Sequence, residues 1–202
     1  MIFIENNSTE QRIIQAALHQ YSNHGYYGST MRNIAKGSGL KSGSIYFFFH
    51  NKEELFLEAF KHLLQKHQNK MDEVFEESKH QPLDIFLTSL LSNIVQYHKK
   101  DIEGTQVYIS LLSSPVAKID ITVKQHMEAY NEWLKKSIRE IIEKDFYQLS
   151  NADIDLIIEQ YTVIGNGIFW GINLYDDDTL KFQVQTGTNL IMESIHKLNK
   201  TN

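Results

Sequence analysis

Apolar residues recur every three or four positions along most of this chain, and that interval is the spacing of one face of an α-helix. The first clear example is the set Ile13, Ile14, Ala17, Leu18 and Tyr21. No stretch alternates between apolar and polar residues for long enough to predict a β-strand. The pattern therefore predicts an all-α fold.

Two tetrapeptides have the form of a capping box, in which a hydroxyl and a later polar side chain satisfy free amide groups at the start of a helix. Ser8-Thr9-Glu10-Gln11 predicts the start of the first helix, which Gly25 is suited to end. Ser150-Asn151-Ala152-Asp153 predicts the start of a later helix. A final helix is predicted over residues 179–198, and we interpret the acidic run 176–178 before it as a cap rather than a cation site.

Residues 30–52 predict two short helices joined by a tight turn, followed by the start of a long helix. Thr30 is a good N-cap residue for the first short helix, and apolar residues follow it at helical spacing. Gly37-Ser38-Gly39 ends this helix, because glycine adopts the left-handed backbone conformation without steric cost. A second short helix is predicted from Ser42, with Ile45 facing inward. This layout is a helix-turn-helix.

Four successive aromatic residues, 46–49, follow Ile45. Phe49 is predicted to be buried, and at least one of Tyr46 and Phe47 must be exposed, because four successive side chains cannot all face one side of a helix. A long helix is predicted next, from Asn51 to about Lys79.

The rest of the chain also predicts helices. Pro82 is suited to a first helical turn and precedes a segment rich in leucine and isoleucine. A helix over residues 104–112, a break at 113–115 and a long helix ending near Asp145 follow. The helix after Ser150 contains three glycines, each of which costs about 1 kcal/mol relative to alanine and therefore indicates close packing. They are Gly165, Gly167 and Gly171.

Composition narrows the class of protein. The 202 residues are 42% hydrophobic, include two prolines and no cysteine, and carry a net charge of −5. The absence of cysteine excludes disulfides and thiolate metal sites, and the most apolar stretch, 154–175, contains acidic residues, so we predict a cytoplasmic protein without a membrane span. Five basic and two acidic residues occur through Lys52. Positive charge is thus concentrated in the segment that contains the helix-turn-helix, as DNA binding requires.

Patterns that indicate enzymes or metal sites are weak. Gly39-Leu40-Lys41-Ser42 lacks the glycine before lysine and the preceding strand of a phosphate-binding loop. His19 and His24, like His62 and His67, are five residues apart rather than four, and linear order shows no catalytic triad. We therefore predict that the chain is not an enzyme and has no metal or cofactor.

Residues 30–55 resemble the DNA-binding signature of the tetracycline-repressor (TetR) family of transcriptional regulators. The matching pieces are Ile34-Ala35, Gly39-Leu40, Gly43-Ser44-Ile45-Tyr46, Phe49 and Lys52-Glu53-Glu54-Leu55. The resemblance implies a DNA-binding domain over residues 1–50 and an effector-binding and dimerisation domain over residues 51–202. It also implies a homodimer held by the last two helices, a palindromic double-stranded DNA operator, and a repressor released by a small apolar or aromatic effector.

The same resemblance implies two kinds of DNA contact. Phosphate contacts are implied for Thr30, Tyr46 and Lys52. Contacts to base edges or flanking sugars are implied for Arg32, Ser42, Gly43, Ser44 and Phe47, and Lys41 suits either role. This chain departs from the commoner family pattern at Lys41, where serine or threonine is usual, and at Phe47, where a polar aromatic residue is frequent.

The second domain contains more aromatic and polar residues than a plain core needs, and the resemblance places an effector cavity among them. The candidate effector residues are Phe86, Tyr97, His98, Tyr108, Met127, Tyr130, Trp133, Asn166, Phe169 and Trp170. Each of these residues, taken singly, also suits an ordinary core position, and the glycine-containing helix also suits packing within one subunit. The alternative function is that of a helical small-molecule carrier whose DNA-binding domain no longer functions.

Overall fold

The computed structural model describes residues 8–111 and 117–201. These residues form eight α-helices and one 3₁₀ helix and contain no β-strand, which confirms the predicted all-α fold. The helices are α1 Thr9–Gly28, α2 Met31–Gly37, α3 Lys52–Ser78, α4 Leu83–Lys100, α5 Ile102–Leu111, α6 Ala117–Asp145, α7 Asn151–Gly171 and α8 Asp177–Thr201. The 3₁₀ helix Ser44–Phe47 lies between α2 and α3 in the chain.

The described residues divide into two compact units. The first contains those of Met1–Lys66 and Asp101–His126, and the second contains those of His67–Lys100 and Met127–Asn202. Helices α3 and α6 therefore contribute residues to both units. The functional division at residues 50 and 51 stays a prediction.

Aliphatic and aromatic side chains form the core of the first unit. Ile13 of α1, Ile34 of α2 and Ile45 of the 3₁₀ helix are fully buried. Tyr21 of α1 meets Phe60 of α3 edge to face, with ring centroids 4.8 Å apart. Burial of each such side chain stabilises the fold by about 1.5–3 kcal/mol. These contacts fix α1 and α3 around the helix-turn-helix.

The start of α1 is as predicted, and its end differs. Ser8 Oγ accepts a hydrogen bond from Gln11 N at 3.2 Å, and Ser8 N donates to Gln11 Oε1 at 2.8 Å, so the predicted capping box is present. Gly25 has φ +63°, a left-handed value, and interrupts the helical backbone. The chain then makes one more helical turn to Gly28, three residues beyond the predicted end of the helix at Gly25.

Helices α4, α7 and α8 pack together in the second unit. Tyr161 of α7 is buried, and its hydroxyl donates to the carbonyl oxygen of Leu87 at 3.2 Å. Burial, followed by the proximity of Tyr130, raises the pKa of Tyr161 well above its ordinary value, so the phenol stays neutral and can donate this bond. Thr88 and Thr188 join α4 to α8 through hydroxyl oxygens 3.0 Å apart.

Helices α7 and α8 approach each other closely at a glycine. It is not one of the three glycines that the sequence predicted to be closely packed. A Cβ on Gly187 would lie 2.6 Å from Ile164 Cγ2, so only glycine fits there without rearrangement. Gly165 makes only ordinary contact, and no atom beyond the neighbouring backbone lies within 4 Å of a Cβ on Gly167. Tyr175 lies 3.0 Å from the corresponding position of Gly171.

The predicted starts of the last two helices are close to those observed. Ser150 Oγ accepts from Asp153 N at 3.2 Å, and Asp153 Oδ2 accepts from Ser150 N at 3.2 Å, which confirms the second capping box. Helix α8 starts at Asp177, two residues before the predicted position. Asp176 Oδ1 accepts from Thr179 N at 2.8 Å, and hydrogen bonds from Thr179 lower the pKa of Asp176, so this carboxylate is a cap as interpreted.

Two sequence predictions concern residues outside the described part of the chain: the break at 113–115, and Leu112 as the last residue of a helix. Within the described part, α5 ends at Leu111 and α6 ends at Asp145, the latter as predicted. None of the helices in the described part is both long and apolar enough to cross a bilayer.

Candidate functional site

The tight turn after α2 is defined by backbone geometry. Thr30 Oγ accepts from Asn33 N at 3.2 Å and caps α2, as predicted. Gly39 has φ +77°, and Leu40 N donates to Ala35 O at 2.8 Å. Because residues with a Cβ rarely adopt this left-handed conformation, glycine sets the direction in which the chain leaves α2.

The segment after the turn is shorter than the predicted second helix. It is a 3₁₀ helix of four residues, Ser44–Phe47, rather than an α-helix from Ser42, and Phe48 N closes it by donating to Ile45 O at 3.0 Å. Gly43 and the β-branched Ile45 have low helix propensity. So short a segment cannot offset the cost of nucleating an α-helix, whereas single turns of 3₁₀ helix are common.

The aromatic run divides between core and surface. Ile45 and Phe49 are buried, as predicted. The exposed fractions of Tyr46, Phe47 and Phe48 are 50%, 88% and 42%. The prediction that at least one of Tyr46 and Phe47 is exposed is confirmed, and the exposure of Phe48 was not foreseen.

Three basic side chains of the helix-turn-helix are exposed: Arg32, Lys36 and Lys41. Arg32 and Lys36 are four residues apart and lie on one face of α2, while Ile34 and Ala35 face the core. Within the described residues, none of these three cations has a carboxylate partner. Their positive charge is therefore available to an anionic molecule.

Lys52, the first residue of α3, is held by the end of α1. Its Nζ donates to the carbonyl oxygens of Tyr26 at 2.8 Å and Ser29 at 3.2 Å, and it lies 4.4 Å from the centroid of the Tyr26 ring. Burial, followed by the charge of Glu53, raises the pKa of Tyr26, so the ring beside the ammonium stays neutral. Two of the three donors of Lys52 are thus used inside the protein.

The remaining predicted DNA contacts lie at the start of the 3₁₀ helix. Ser42 and Gly43 are exposed, and Ser44 is half-buried. No atom beyond its chain neighbours lies within 4 Å of the position that a Cβ of Gly43 would occupy. A ligand can therefore approach the backbone closely at Gly43.

Two buried histidines and three aromatic rings meet in the second unit. His67 and His98 are 4% and 3% exposed, and their ring centroids lie 5.2 Å apart. Tyr97 and Tyr130 lie 5.3 Å and 5.1 Å from His67, and Phe169 lies 5.0 Å from His98. We call these five residues the histidine cluster. It brings together four of the predicted effector residues.

His67, at the centre of the histidine cluster, was not among the predicted effector residues. The sequence did contain a signal for it. His67 lies three residues after Leu64 and four before Met71, both buried, so it occupies the apolar face of α3. A histidine on such a face is expected to be buried, and its imidazole then needs polar or aromatic neighbours.

Two other predicted effector residues make aromatic contacts in the second unit, one of them with the cluster itself. Trp133 stacks on Tyr130, with ring centroids 5.6 Å apart. Phe86 is fully buried and meets Phe75 edge to face at 5.9 Å. Phe86 is therefore a core residue of α4, and Trp133 extends the aromatic surface of the cluster.

The other predicted effector residues differ in their burial, and Trp170 meets Phe169 of the histidine cluster edge to face, with ring centroids 5.8 Å apart. Asn166 is exposed, and Trp170 is 51% exposed. Tyr108 is buried in the first unit, and Met127 is half-buried at the start of the α6 segment of the second unit. The described residues also contain no group of three or more histidine and carboxylate side chains suited to a metal ion.

A line of apolar side chains on α7 and α8 is exposed to solvent. Leu156 and Val163 of α7 and Phe182 and Leu190 of α8 are 48%, 63%, 72% and 54% exposed. We call this surface, together with Gly167, the α7/α8 face. Grooves of about 420 Å³ and 350 Å³ lie along it. Contiguous apolar surface of this kind marks an interaction site, unlike single exposed residues.

Sequence similarity to known proteins is strongest near the start of this chain. Residues 13–59 match the family model described as bacterial regulatory proteins, tetR family. The uncharacterized HTH-type transcriptional regulator YhgD of Bacillus subtilis is 44% identical over 66 residues, which are 33% of this chain and 35% of YhgD. The match thus spans about a third of that relative's length.

Two further proteins are similar over most of their length. IcaR, the negative transcriptional regulator of the biofilm operon icaADBC in Staphylococcus epidermidis, is 24% identical over 160 residues, which are 74% of this chain and 78% of IcaR. The crystal structure of the regulator FadR from Bacillus subtilis in complex with stearoyl-CoA superposes with a TM-score of 0.71 at 21% identity, covering 91% of this chain and 97% of that one. At this identity the superposition shows a shared fold.

Proposed function

Because residues 13–59 match the tetR family of bacterial regulatory proteins, we propose that this chain is a transcriptional repressor of that family and acts in the cytoplasm. It binds a palindromic DNA operator as a homodimer, and a small apolar or aromatic effector releases it. The family consists of regulators rather than enzymes, in agreement with the absence of catalytic motifs from the sequence.

The observation that carries DNA binding is the set of exposed, unpaired cations beside an exposed turn. Arg32, Lys36 and Lys41 lie in the helix-turn-helix, where α2 braces against the DNA backbone and the 3₁₀ helix enters the major groove. Thr30 and Tyr46 contact phosphates. Base edges and sugars are met by Arg32, Ser42, Gly43, Ser44 and Phe47, and Lys41 takes either role.

The α7/α8 face supports a homodimer. The described residues of one chain leave its apolar side chains exposed, and a second copy supplies the same face through a two-fold axis. Gly167 has open space around it, so a helix of the second copy can approach closely there. Two DNA-binding domains held in this way read half-sites about 34 Å apart, or a multiple of that distance.

The histidine cluster supports an effector of mixed apolar and polar character. Aromatic rings provide most of its surface, and two imidazoles provide polar atoms that orient a ligand. FadR, which shares the fold, is described in complex with stearoyl-CoA, a ligand with a long apolar chain. An apolar ligand is therefore the first class to test.

Release of DNA by the effector requires that the ligand prefer one conformation of the protein. Helix α3 contains both Lys52, at its start, and His67 of the histidine cluster. A ligand that favours a different position of α3 changes the separation of the two DNA-binding domains in the dimer. Operator affinity then falls by the same coupling free energy as ligand affinity, typically about 1–3 kcal/mol.

Selection of bound fragments from random duplex DNA tests this function. A repressor enriches a palindrome, and its affinity for that palindrome falls steeply as salt is raised. Arg32→Ala weakens binding and makes the salt dependence less steep. Lys144→Ala removes an exposed cation from α6 in the second unit and serves as the matched control, with affinity unchanged.

The carrier hypothesis makes the opposite prediction. A carrier without DNA function binds apolar ligands, enriches no sequence, and shows no effect of Arg32→Ala. Equal and weak binding to all duplexes at moderate salt would therefore favour the carrier. Recovery of a palindrome whose binding the ligand reverses would favour the repressor.

A further inference from the structure

Phe47 has the most exposed large apolar side chain in the part of the chain that the structure describes. The residues around it are anchored. Ile45 and Phe49 are 0% and 3% exposed, and the amides of Phe48 and Phe49 both donate to the carbonyl oxygen of Ile45, at 3.0 Å and 3.1 Å. The ring is therefore held outward by a backbone that the core fixes in place.

The surface beside Phe47 is also apolar. Tyr46 and Phe48 are half or nearly half exposed, so three successive rings reach solvent from the end of the 3₁₀ helix and the residue that follows it. Isolated exposed hydrophobic residues are common and need no function, but three neighbours on a fixed turn form a patch. The residues before them, Ser42 and Gly43, are small and leave the approach to the turn open.

The chemistry of a phenyl ring limits what it can recognise in DNA. The ring of Phe47 has no conventional hydrogen-bond donor or acceptor, so it cannot read the polar pattern of a base edge. The major groove offers one apolar group, the C5-methyl of thymine. We infer that Phe47 is a specificity-determining residue that recognises a thymine methyl in each half-site by van der Waals contact.

This inference rests on the proposed binding of operator DNA, and it can be tested on the palindrome that selection yields. Each thymine is replaced, in both half-sites together, by deoxyuridine, which differs only in lacking the methyl group. Affinity is measured for the wild type, Phe47→Ala and Phe48→Ala. At one position, replaced in both half-sites, wild-type affinity should fall by about fourfold for each methyl group removed.

The decisive result is whether the loss of affinity on removing the thymine methyl depends on the side chain at position 47. Phe47→Ala should weaken binding to the thymine operator and should bind the thymine and uracil operators equally. Phe48→Ala should keep the difference between them. Phe47→Leu, which retains an apolar side chain, should keep part of it. Because Phe47 is exposed, thermal unfolding of its two variants should match that of the wild type.

A matched control comes from the second unit. Tyr147 is 81% exposed, so Tyr147→Ala removes a ring of similar exposure away from the helix-turn-helix. Both its operator affinity and its preference for thymine over uracil should equal those of the wild type.

Two results would overturn the inference: no thymine pair affects wild-type binding, or the same pair weakens Phe47→Ala as much as the wild type. In both cases the specific binding of the selected palindrome still stands, and with it the proposed function. Failure of selection to yield any preferred sequence would instead overturn the proposed function together with the inference.

Discussion

At the scale of single residues, Lys52 has a structural role in addition to any contact with DNA. Its ammonium lies at the carboxyl end of α1, where the helix dipole favours positive charge, and donates to two carbonyl oxygens there. Hydrogen bonds from a charged donor are among the stronger ones in proteins. Lys52 therefore fixes the start of α3 against α1, and one donor at most remains for a phosphate.

Replacement of Lys52 by methionine separates these roles. We expect Lys52→Met to lower the free energy of unfolding by about 2 kcal/mol, because two carbonyl oxygens lose a charged donor. The slope of log affinity against log salt should stay the same, whereas it would fall by about 0.9 for each DNA phosphate that the protein no longer neutralised. Denaturant titration and operator binding across a salt series measure the two quantities. A smaller salt slope with unchanged stability would show that Lys52 is mainly a phosphate-binding residue.

His126 in α6 links stability to pH. Burial lowers its pKa below the ordinary value of 6.5, and its Nε2 has no hydrogen-bond partner among the described residues. The unfolded chain therefore binds the proton more readily, and stability falls as pH falls below about 6.5. In His126→Gln, the loss of unfolding free energy between about pH 7.5 and pH 5.5 should be smaller than in the wild type. A loss in His126→Gln equal to that of the wild type would contradict this link.

At the scale of elements, local interactions were predictable and contacts between distant elements were not. The helix starts at Ser8 and Ser150 follow from side chains within four residues of each other. By contrast, the 3₁₀ geometry of Ser44–Phe47 depends on how Ile45 and Phe49 enter the core as well as on local helix propensity, and periodicity does not specify how they enter it. The histidine cluster likewise requires α3, α4, α6 and α7 to meet, so only its separate members were visible in the sequence.

The two glycines on neighbouring helices of the second unit provide a test of packing between elements. Gly187→Ala should destabilise the protein by about 1–3 kcal/mol, because the new Cβ would lie 2.6 Å from the stiff, β-branched Ile164. Gly167→Ala has open space and should raise the stability of one chain by up to about 1 kcal/mol through helix propensity. Denaturant titration at a concentration where both variants have the same oligomeric state compares them. Equal effects of the two substitutions would contradict the packing observed between α7 and α8.

At the scale of the whole molecule, the α7/α8 face is an apolar surface that the described residues of one chain leave uncovered. Its apolar side chains remain in contact with water, while the core of the second unit is filled by the opposite sides of the same helices. In the proposed homodimer, a second copy would cover these side chains with the same face of its own α7 and α8. The proposed homodimer would also link two DNA-binding domains, so that the second half-site would be bound at high effective concentration. Assembly and operator affinity should therefore change together.

Phe182→Glu tests that dependence. The substitution places a carboxylate on the α7/α8 face, where a second copy would remove it from water without a partner, so the dimer dissociation constant should rise by about two orders of magnitude or more. The chain should still fold, because Phe182 is 72% exposed. Sedimentation velocity over a concentration series measures the assembly, and Tyr147→Glu, at a position 81% exposed outside the face, should remain dimeric.

Operator affinity should fall with the loss of the dimer. An unchanged dimer would place the interface elsewhere, and full operator affinity in a monomer would mean that each half-site is bound independently.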